Sequence, residues 1–341
     1  MVPQLQEECL IRKGDNQILD QLCRDLNLNL MTNTESSKSL SSPNYQYRSL
    51  TSRKIQILLN SYIKRHKFIL SRPLVRNDLI DILRLVMDLL FAMVDISSSY
   101  GWINTCLRIM ELSQMLVQAI SNPVNDKLMQ LSMSMNKDRI RIFKESGVTD
   151  IYDLINMNDD DRDELLTEKL SLSEKEISQI AQKKSRFRNS TNTKNGETQR
   201  LFECNPESEL TLSIDISRDF SSNEEEDNDL KNQNNIKDQE IYPCIVKNLN
   251  YYPLEKEENW WVILIKIGVP NLPKENSDDE NEDEILSIRR IQLNKISNQV
   301  LLKFNSIEDS GMITNYRLLV ICDSYIGCDQ EFMFSVKTVE Y

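Results

Sequence analysis

The chain has 341 residues, and its 41 basic and 53 acidic side chains give a net charge of −12. That balance excludes a protein that binds nucleic acid over its whole surface through basic charge. The one histidine, His66, excludes every Ser-His-Asp triad and every histidine-dependent zinc site that does not use it. The glycines lie too far apart for a G-x-x-x-x-G-K loop or a G-x-G-x-x-G turn, so a P-loop ATPase and a dinucleotide-binding enzyme are also excluded.

The residue types that carry chemistry predict no catalytic centre. Seven cysteines are scattered without a C-x-x-C pair, which is typical of reduced thiols in an intracellular protein. The carboxylate pairs fall in acidic segments, where no apolar pocket is evident to raise a pKa for acid–base work. We therefore predict no catalytic residue, no bound metal and no cofactor.

Residues 1–135 predict a helical bundle. Apolar residues recur at spacings of three and four in Asp15–Leu26, Tyr47–Leu70, a helix capped by Asn77, and Thr105–Ile120. The most apolar run, Leu79–Ile96, contains four charged residues, which favours a core helix over a membrane span. We expect these amphipathic helices to pack on one another and not to insert into a membrane.

Residues 136–190 predict a helix-loop-helix unit. Gly147 suits a left-handed helix end, and Ser173 with Glu176 forms a capping box. The unit ends in a basic cluster, and its candidate RNA-facing residues are Lys183, Lys184, Arg186 and Arg188. The three aspartates at 159–161 would repel phosphate, so a plain solvated helix end is the competing interpretation.

Residues 191–207 predict a linker, and the charge changes after it. Residues 191–341 carry 29 acidic and 15 basic side chains. The acidic side chains are concentrated in runs within 221–240 and 272–284. Such runs repel themselves and bury little apolar area, so we predict disordered acidic insertions there.

Residues 208–341 predict strands. Leu210–Ile216 alternates apolar and polar residues, and further strand-like runs follow, including one at 242–249. About seven strands with turn signals between them are typical of an immunoglobulin- or fibronectin-like β-sandwich. Adjacent Trp260 and Trp261 place one indole on each face of their strand. With Tyr325 they form the candidate protein interface, and Trp261 is also predicted in the sandwich core with Leu318, Val320 and Phe334. The fold class is therefore α+β, in several domains.

Several segments resemble one known module. The run Cys322–Phe332, the run Glu258–Leu264, and the pair Ser98–Trp102 and Met110–Met115 resemble the Sec63 module, whose order of bundle, helix-loop-helix and sandwich matches the partition above. Endoplasmic-reticulum translocation proteins, activating-signal-cointegrator helicases and spliceosomal helicases carry such modules. The wording G-C-D-Q-E-F and M-E-L-S-Q-M is most similar to the C-terminal cassette of the spliceosomal DExH-box family.

The resemblance implies a module that lacks the ATPase domains of the family. The family's ATPase domains have no counterpart in this sequence, and Ile11–Asn16 resembles a point inside the family's bundle, so an N-terminally truncated bundle is expected. By resemblance, the helix from Asn77 to Ile96 is the one that contacts RNA in active cassettes. Arg76 and Arg84 are its candidate RNA-facing residues, but Asp81 and Asp88 interrupt the basic stripe.

These observations lead to one functional hypothesis with two alternatives. The chain is expected to be a non-catalytic scaffold of a spliceosomal RNA helicase, located in the nucleus. Its expected partners are snRNP proteins and helicase domains of the same family, with RNA as a possible partner. The alternatives are an RNA-strand guide for a helicase cassette supplied elsewhere, and a subunit of the endoplasmic-reticulum translocation complex.

Overall fold

The computed structural model describes residues 11–28, 43–67, 72–132, 134–178, 180, 200–217, 251–268, 283–293, 297–307 and 309–339. Its helices are α1 (Asp15–Asp25), α2 (Pro43–Ile63), α3 (Pro73–Ser99), α4 (Ile103–Gln118), α5 (Lys137–Glu145), α6 (Ile151–Asn156) and α7 (Asp159–Glu164). Its strands are β1 (Arg200–Cys204), β2 (Glu209–Ser217), β3 (Asn259–Lys266), β4 (Glu284–Gln292), β5 (Ser297–Asn305), β6 (Ile313–Cys322) and β7 (Gln330–Thr338).

Helices α1 to α4 form a bundle around α3. Pro73 occupies the first turn of α3, where its missing N–H costs nothing, so the helix begins one turn before the predicted cap at Asn77, which is wrong. An ion network centred on the buried Lys54 of α2 joins three of the helices, because its ammonium lies 2.8 Å from Asp15 of α1 and from Asp78 of α3. Asp78 also accepts from both Arg12 guanidinium nitrogens at 2.7 and 2.8 Å.

One arginine joins the C-terminal ends of α2 and α4 to the residues that follow them. Arg65 follows α2 and donates to the carbonyls of Gln118 and Ala119, where α4 ends, and to the carbonyl of Met129. Its guanidinium also lies 4.4 Å above the ring of Tyr251. Burial lowers the pKa of Arg65 to about 10, so the side chain stays charged at neutral pH and satisfies carbonyls that the helix leaves unpaired.

A smaller helical unit follows the bundle. The Asn136 side chain caps α5 by accepting from the Arg139 N–H, and Asp150 with Asp153 forms a capping box on α6. These short helices enclose an apolar cluster that contains Phe143, Val148 and Leu154. A short 3₁₀ helix, Lys127–Gln130, connects this unit to the bundle.

The strands form two sheets. The five-stranded sheet has the order β1-β7-β6-β3-β4, and all its pairs are antiparallel except β1 with β7. Strands β2 and β5 form a separate antiparallel pair. Apolar side chains from both sheets, including Val262, Leu302 and Tyr316, enclose one core cluster. The α+β class is confirmed.

The other face of the five-stranded sheet packs on the bundle. Trp261, Ile263 and Ile265 of β3 and Leu319 and Ile321 of β6 belong to the same core cluster as the buried residues of α2, α3 and α4. The register pairs Trp261 with Ile321, and Val262 with Val320, so Trp261 lies on the face opposite Leu318 and Val320. The predicted sandwich-core position of Trp261 is therefore wrong.

Part of the predicted linker is structured. Residues 200–204, inside the predicted linker 191–207, form β1 because Leu201 and its neighbours pair with residues 334–338 of β7. Glu284 at the end of the predicted insertion 272–284 begins β4, and Asp283 accepts from the Gly268 N–H. The predicted insertion at 221–240, the strand at 242–249 and the rest of 272–284 lie outside the described residues.

Candidate interface and its buried junction

A groove runs between α3 and the N-terminal end of β3 in the five-stranded sheet. Its cavity has a volume of about 480 Å³, and its walls include Arg84, Asp88 and Phe91 of α3, Tyr252 and Lys256 of the segment before β3, and Arg290 of β4. Burial raises the pKa of Tyr252 to about 12, and the Asp323 and Asp88 carboxylates add to the rise, so this phenol stays neutral. The groove is therefore lined by charged side chains of both signs and by the aromatic rings of Phe91 and Tyr252.

The candidate RNA-facing arginines of α3 lie at the surface near this groove. Arg76 and Arg84 are both exposed, and eight helical residues place them about 12 Å apart along the axis. The Arg84 side chain is 61 % exposed and lies 3.7 Å from Asp81. Asp88, one turn further along, also lines the groove. Each phosphate that approached Arg84 would meet two carboxylates, which weakens this side of α3 as a phosphate-binding surface.

The second candidate RNA-facing set cannot be placed beside the first. Lys183, Lys184, Arg186 and Arg188 lie outside the described residues.

Two further cations line the groove, and the sequence did not single them out. The Arg290 guanidinium lies 3.6 Å above the Phe91 ring, and its Nη2 is 3.4 Å from an Asp323 oxygen. The Lys256 ammonium lies 2.6 Å from the same carboxylate, which is fully buried. Both cations are therefore paired with the carboxylate of Asp323. In the sequence, the adjacent pair Arg289–Arg290 could have indicated Arg290, because alternation places one of two neighbouring strand residues on each face.

The candidate protein-interface residues are largely internal. Trp261 is 2 % exposed and makes an edge contact with Phe91 at 5.9 Å, which joins the sheet to α3. Trp260 is half-buried, and its indole N–H donates to a Glu258 oxygen at 3.0 Å. Tyr325 is 2 % exposed within the loop between β6 and β7. Contact of these residues with another protein stays a prediction, with Trp260 the most accessible of the three.

The bundle, the small helical unit and the five-stranded sheet meet at the end of β6 and the β6–β7 loop, residues 323–329. Three glutamines and one tyrosine bind the backbone of residues 322–327. Gln114 donates to the Cys322 carbonyl at 2.7 Å, Gln118 to the Ser324 carbonyl at 2.6 Å, and the Tyr152 hydroxyl to the Gly327 carbonyl at 2.9 Å. Gln130 donates to the Ile326 carbonyl and accepts from its N–H. We call this set of contacts the junction.

Two titratable groups of the junction differ in exposure: the Cys322 thiol is buried, whereas Asp329 keeps an exposed fraction. Partial burial of its carboxylate raises the pKa of Asp329 to about 6, although the Gln114 amide and the Cys322 N–H donate to it. Burial also raises the pKa of the Cys322 thiol well above its usual range, so this cysteine is not a nucleophile at neutral pH. Cys322 and Cys328 are free thiols.

The described part of the chain shows no cluster of three His, Cys, Asp or Glu side chains placed to hold a metal ion. Among the described helices, none is both long and apolar enough to cross a lipid bilayer.

A helical bundle, a small helical unit and a sheet joined through one buried loop define this chain as a multipart α+β module. The chain belongs to the Sec63 family, because the family model described as "Sec63 Brl domain" matches residues 7–335. The resemblance seen in the sequence is thereby confirmed.

The relatives are large RNA helicases. The chain is 32 % identical to Arabidopsis thaliana "DExH-box ATP-dependent RNA helicase DExH12" over 259 residues, which cover 75 % of this chain and 10 % of the relative. It is 24 % identical to the Drosophila melanogaster "U5 small nuclear ribonucleoprotein 200 kDa helicase" over 335 residues, which cover 98 % of this chain and 13 % of the relative. The human protein of that name is 26 % identical over 84 % of this chain and 11 % of its own length. The chain thus spans about a tenth of its relatives.

Proposed function

We propose that this chain is a non-catalytic, protein-binding module that works with a spliceosomal RNA helicase in pre-mRNA splicing. Its similarity to helicases of the U5 small nuclear ribonucleoprotein supports the setting. On this proposal the module acts in the nucleus, and its partners are snRNP proteins and helicase domains. The finer architecture that we propose with it is a bundle at 1–135, a helix-loop-helix at 136–190, and an immunoglobulin-like sandwich that comprises 208–341 together with β1.

The junction is the observation that carries this proposal. Gln118, Gln130 and Tyr152 come from α4, the 3₁₀ helix and α6, and all three bind the same loop. Buried hydrogen bonds of this kind are costly to break, because each leaves an unsatisfied polar group away from water. The three parts are therefore held in one fixed arrangement, which is what a platform for partners requires. The Gln118 and Gln130 amides are buried, and Tyr152 is half-buried.

Recovery of partners from nuclear extract tests the scaffold role. The tagged chain is incubated with extract that has or has not been treated with ribonuclease, and bound proteins are identified by mass spectrometry. We expect U5 snRNP proteins in both samples, because contacts between proteins survive loss of RNA. Recovery of translocon subunits, or of chaperones alone, would contradict the proposal.

A junction variant shows whether the fixed arrangement matters. Gln118→Leu removes the amide that holds the Ser324 carbonyl, whereas Gln56→Leu makes the same change at an exposed position of α2. We expect Gln118→Leu to lower the recovery of snRNP proteins at unchanged helix content, and Gln56→Leu to leave it unchanged.

Guidance of an RNA strand is the second candidate function, and the exposure of Arg76 and Arg84 on α3 is the observation that supports it, against the nearby carboxylates of Asp81 and Asp88. Binding of fluorescein-labelled oligouridine is measured between about 50 and 200 mM salt, because each phosphate contact on a single strand contributes about 0.7 to the slope of log K against log salt. The double variant Arg76→Gln, Arg84→Gln reduces that slope if both residues touch phosphate. Arg108→Gln, at a highly exposed position of α4, is the matched control. Binding without a salt slope would exclude this role.

A further inference from the structure

Helix α3 carries a second apolar face. Its C-terminal half presents an apolar stripe of Leu85, Leu89, Met93, Ile96 and Tyr100, at spacings of four, four, three and four, which places them on one side. The two leucines are half-buried, whereas Met93 is 40 %, Ile96 54 % and Tyr100 68 % exposed. Contiguous exposed apolar surface of this kind marks an interaction site.

The other half of α3 shows what covers the same side. Asp78 and Ile82 lie seven residues before Leu85 and Leu89, on the same side of the helix, and both are buried. Arg12, three residues before α1, and Lys54 of α2 both bind Asp78, so the segment that leads into α1, and α2 itself, cover this half. Among the described residues, these helices do not continue over the stripe, so an additional helix would complete the packing.

The end of the stripe holds an aromatic pair. Trp102 is 55 % exposed, and its ring stacks on that of Tyr100 with centroids 5.1 Å apart and planes 20° apart. Gly101 adopts φ +70°, the left-handed conformation that brings the two rings together. Tyrosine and tryptophan are the residues that most often dominate the binding energy of protein interfaces.

The acidic residues beside the stripe favour a partner with basic residues. Asp81, Asp88 and Asp95 recur every seven residues and form an acidic row beside the stripe, on the side where Asp88 also lines the groove. Asp88 and Asp95 are exposed, and Asp81 lies 3.7 Å from the exposed Arg84. A helix lying in this position would meet the acidic row with its own flank, so lysine or arginine there is favoured.

We propose that the apolar stripe, the Tyr100–Trp102 pair and the acidic row dock a basic amphipathic α-helix of a partner protein. Apolar residues at three- and four-residue spacing would fill the stripe, and basic residues on one flank would face the acidic row. The inference rests on the proposed scaffold role and deepens it by naming one docking surface.

Peptide binding to the whole chain tests this surface. The probe is a fluorescein-labelled leucine–lysine helix of about 18 residues, enough to span the stripe at about 1.5 Å per residue. Its anisotropy is compared with that of a leucine–glutamate helix and of a scrambled leucine–lysine peptide, all in about 150 mM salt to screen general attraction to the acidic chain. We expect the leucine–lysine helix to bind most tightly.

Variants separate this surface from the rest of the chain. Ile96→Gln should weaken the leucine–lysine helix by about tenfold, the loss typical of an interface anchor. Leu74→Gln, the same change at an exposed apolar position in the first turn of α3, should leave binding unchanged. The pair Asp88→Asn, Asp95→Asn should abolish the preference for lysine over glutamate. Far-ultraviolet circular dichroism confirms that each variant is folded.

Three results would overturn the inference. The first is equal binding by wild type and Ile96→Gln. The second is displacement of the peptide by oligouridine, which would make the surface a base-stacking site. The third is concentration-dependent dimerisation that Ile96→Gln removes, which would make a second copy the occupant. Any of them would leave the scaffold role to be judged by the extract experiment, since partners could dock elsewhere.

Discussion

Asp329 gives the junction a pH-dependent stability. Its pKa in the folded chain is raised to about 6 from 3.8, so the folded state binds the proton more tightly than the unfolded state. This stabilisation is fully present below about pH 4 and is lost as the pH rises through 6, and because Asp329 is partly exposed, screening by solvent keeps the change well below about 3 kcal/mol. The carboxylate is therefore a cost to the folded chain at neutral pH.

Asp329→Asn should remove this dependence. Urea unfolding of wild type and variant is measured between pH 7.5 and 5, and the difference between their free energies of unfolding is followed. We expect wild type to gain stability relative to the variant as the pH falls, because only wild type takes up the proton. A difference that is constant over this range would show that Asp329 does not titrate there.

Asp78 should be the most sensitive carboxylate of α3. Asp78→Ala leaves the buried Lys54 ammonium without one of its partners, and loss of one member of a buried ion pair costs about 3–5 kcal/mol. Asp88→Ala, at an exposed position of the same helix, should change the free energy of unfolding by about 0.5 kcal/mol or less. Urea denaturation followed by circular dichroism measures both, and equal effects would contradict the ion network.

Single residues were predicted unevenly from the sequence. The capping box at Ser173 and Glu176 forms as expected, with the Ser173 N–H donating to Glu176 at 2.8 Å. Local spacing specifies such contacts. Lys256, Arg290 and Asp323 were missed because they meet only after β3, β4 and β6 pair. No local pattern encodes that meeting.

At the scale of elements, the 3₁₀ helix and the β6–β7 loop depend on one side chain. Gln130→Leu keeps the approximate size of the side chain but leaves the Ile326 N–H and carbonyl without their amide partner. We expect a loss of about 2–6 kcal/mol in the free energy of unfolding, at about 1–3 kcal/mol for each of the two buried unsatisfied groups. Hydrogen exchange at the Ile326 amide should accelerate at least about tenfold, whereas Gln56→Leu should leave it protected.

Elements were predicted best where one face is buried. The alternation in β2 and the three–four spacing in α3 each led to the right element. Apolar residues do not alternate strictly in β4, because both its faces are covered: Ile288 pairs with Ile263 on the bundle side, and Ile291 with Trp260 on the other. Strand β1 was missed because its neighbour, β7, lies about 130 residues later in the chain.

At the scale of the whole molecule, the bundle and the sheet should unfold together. They share one apolar cluster in which Leu83 and Trp261 are both buried. Leu83→Ala should cost about 2–5 kcal/mol and shift the circular dichroism and tryptophan fluorescence transitions by the same amount. Leu301→Ala, at an exposed position of β5, should shift neither. Separate transitions would show that the sheet folds independently of the bundle.

The order of synthesis matters for a module in which a late strand covers helices that are made early. The bundle's apolar surface is completed by β6, which the ribosome adds about 200 residues after α3. At about 5–20 residues per second, α3 waits roughly 10–40 s before the strand that covers it exists. Contacts so distant in sequence form slowly, so the nascent helices need shielding from aggregation during that interval. A ribosome stalled before residue 313 should therefore hold a chain that chaperones still bind, and one released after residue 338 should not.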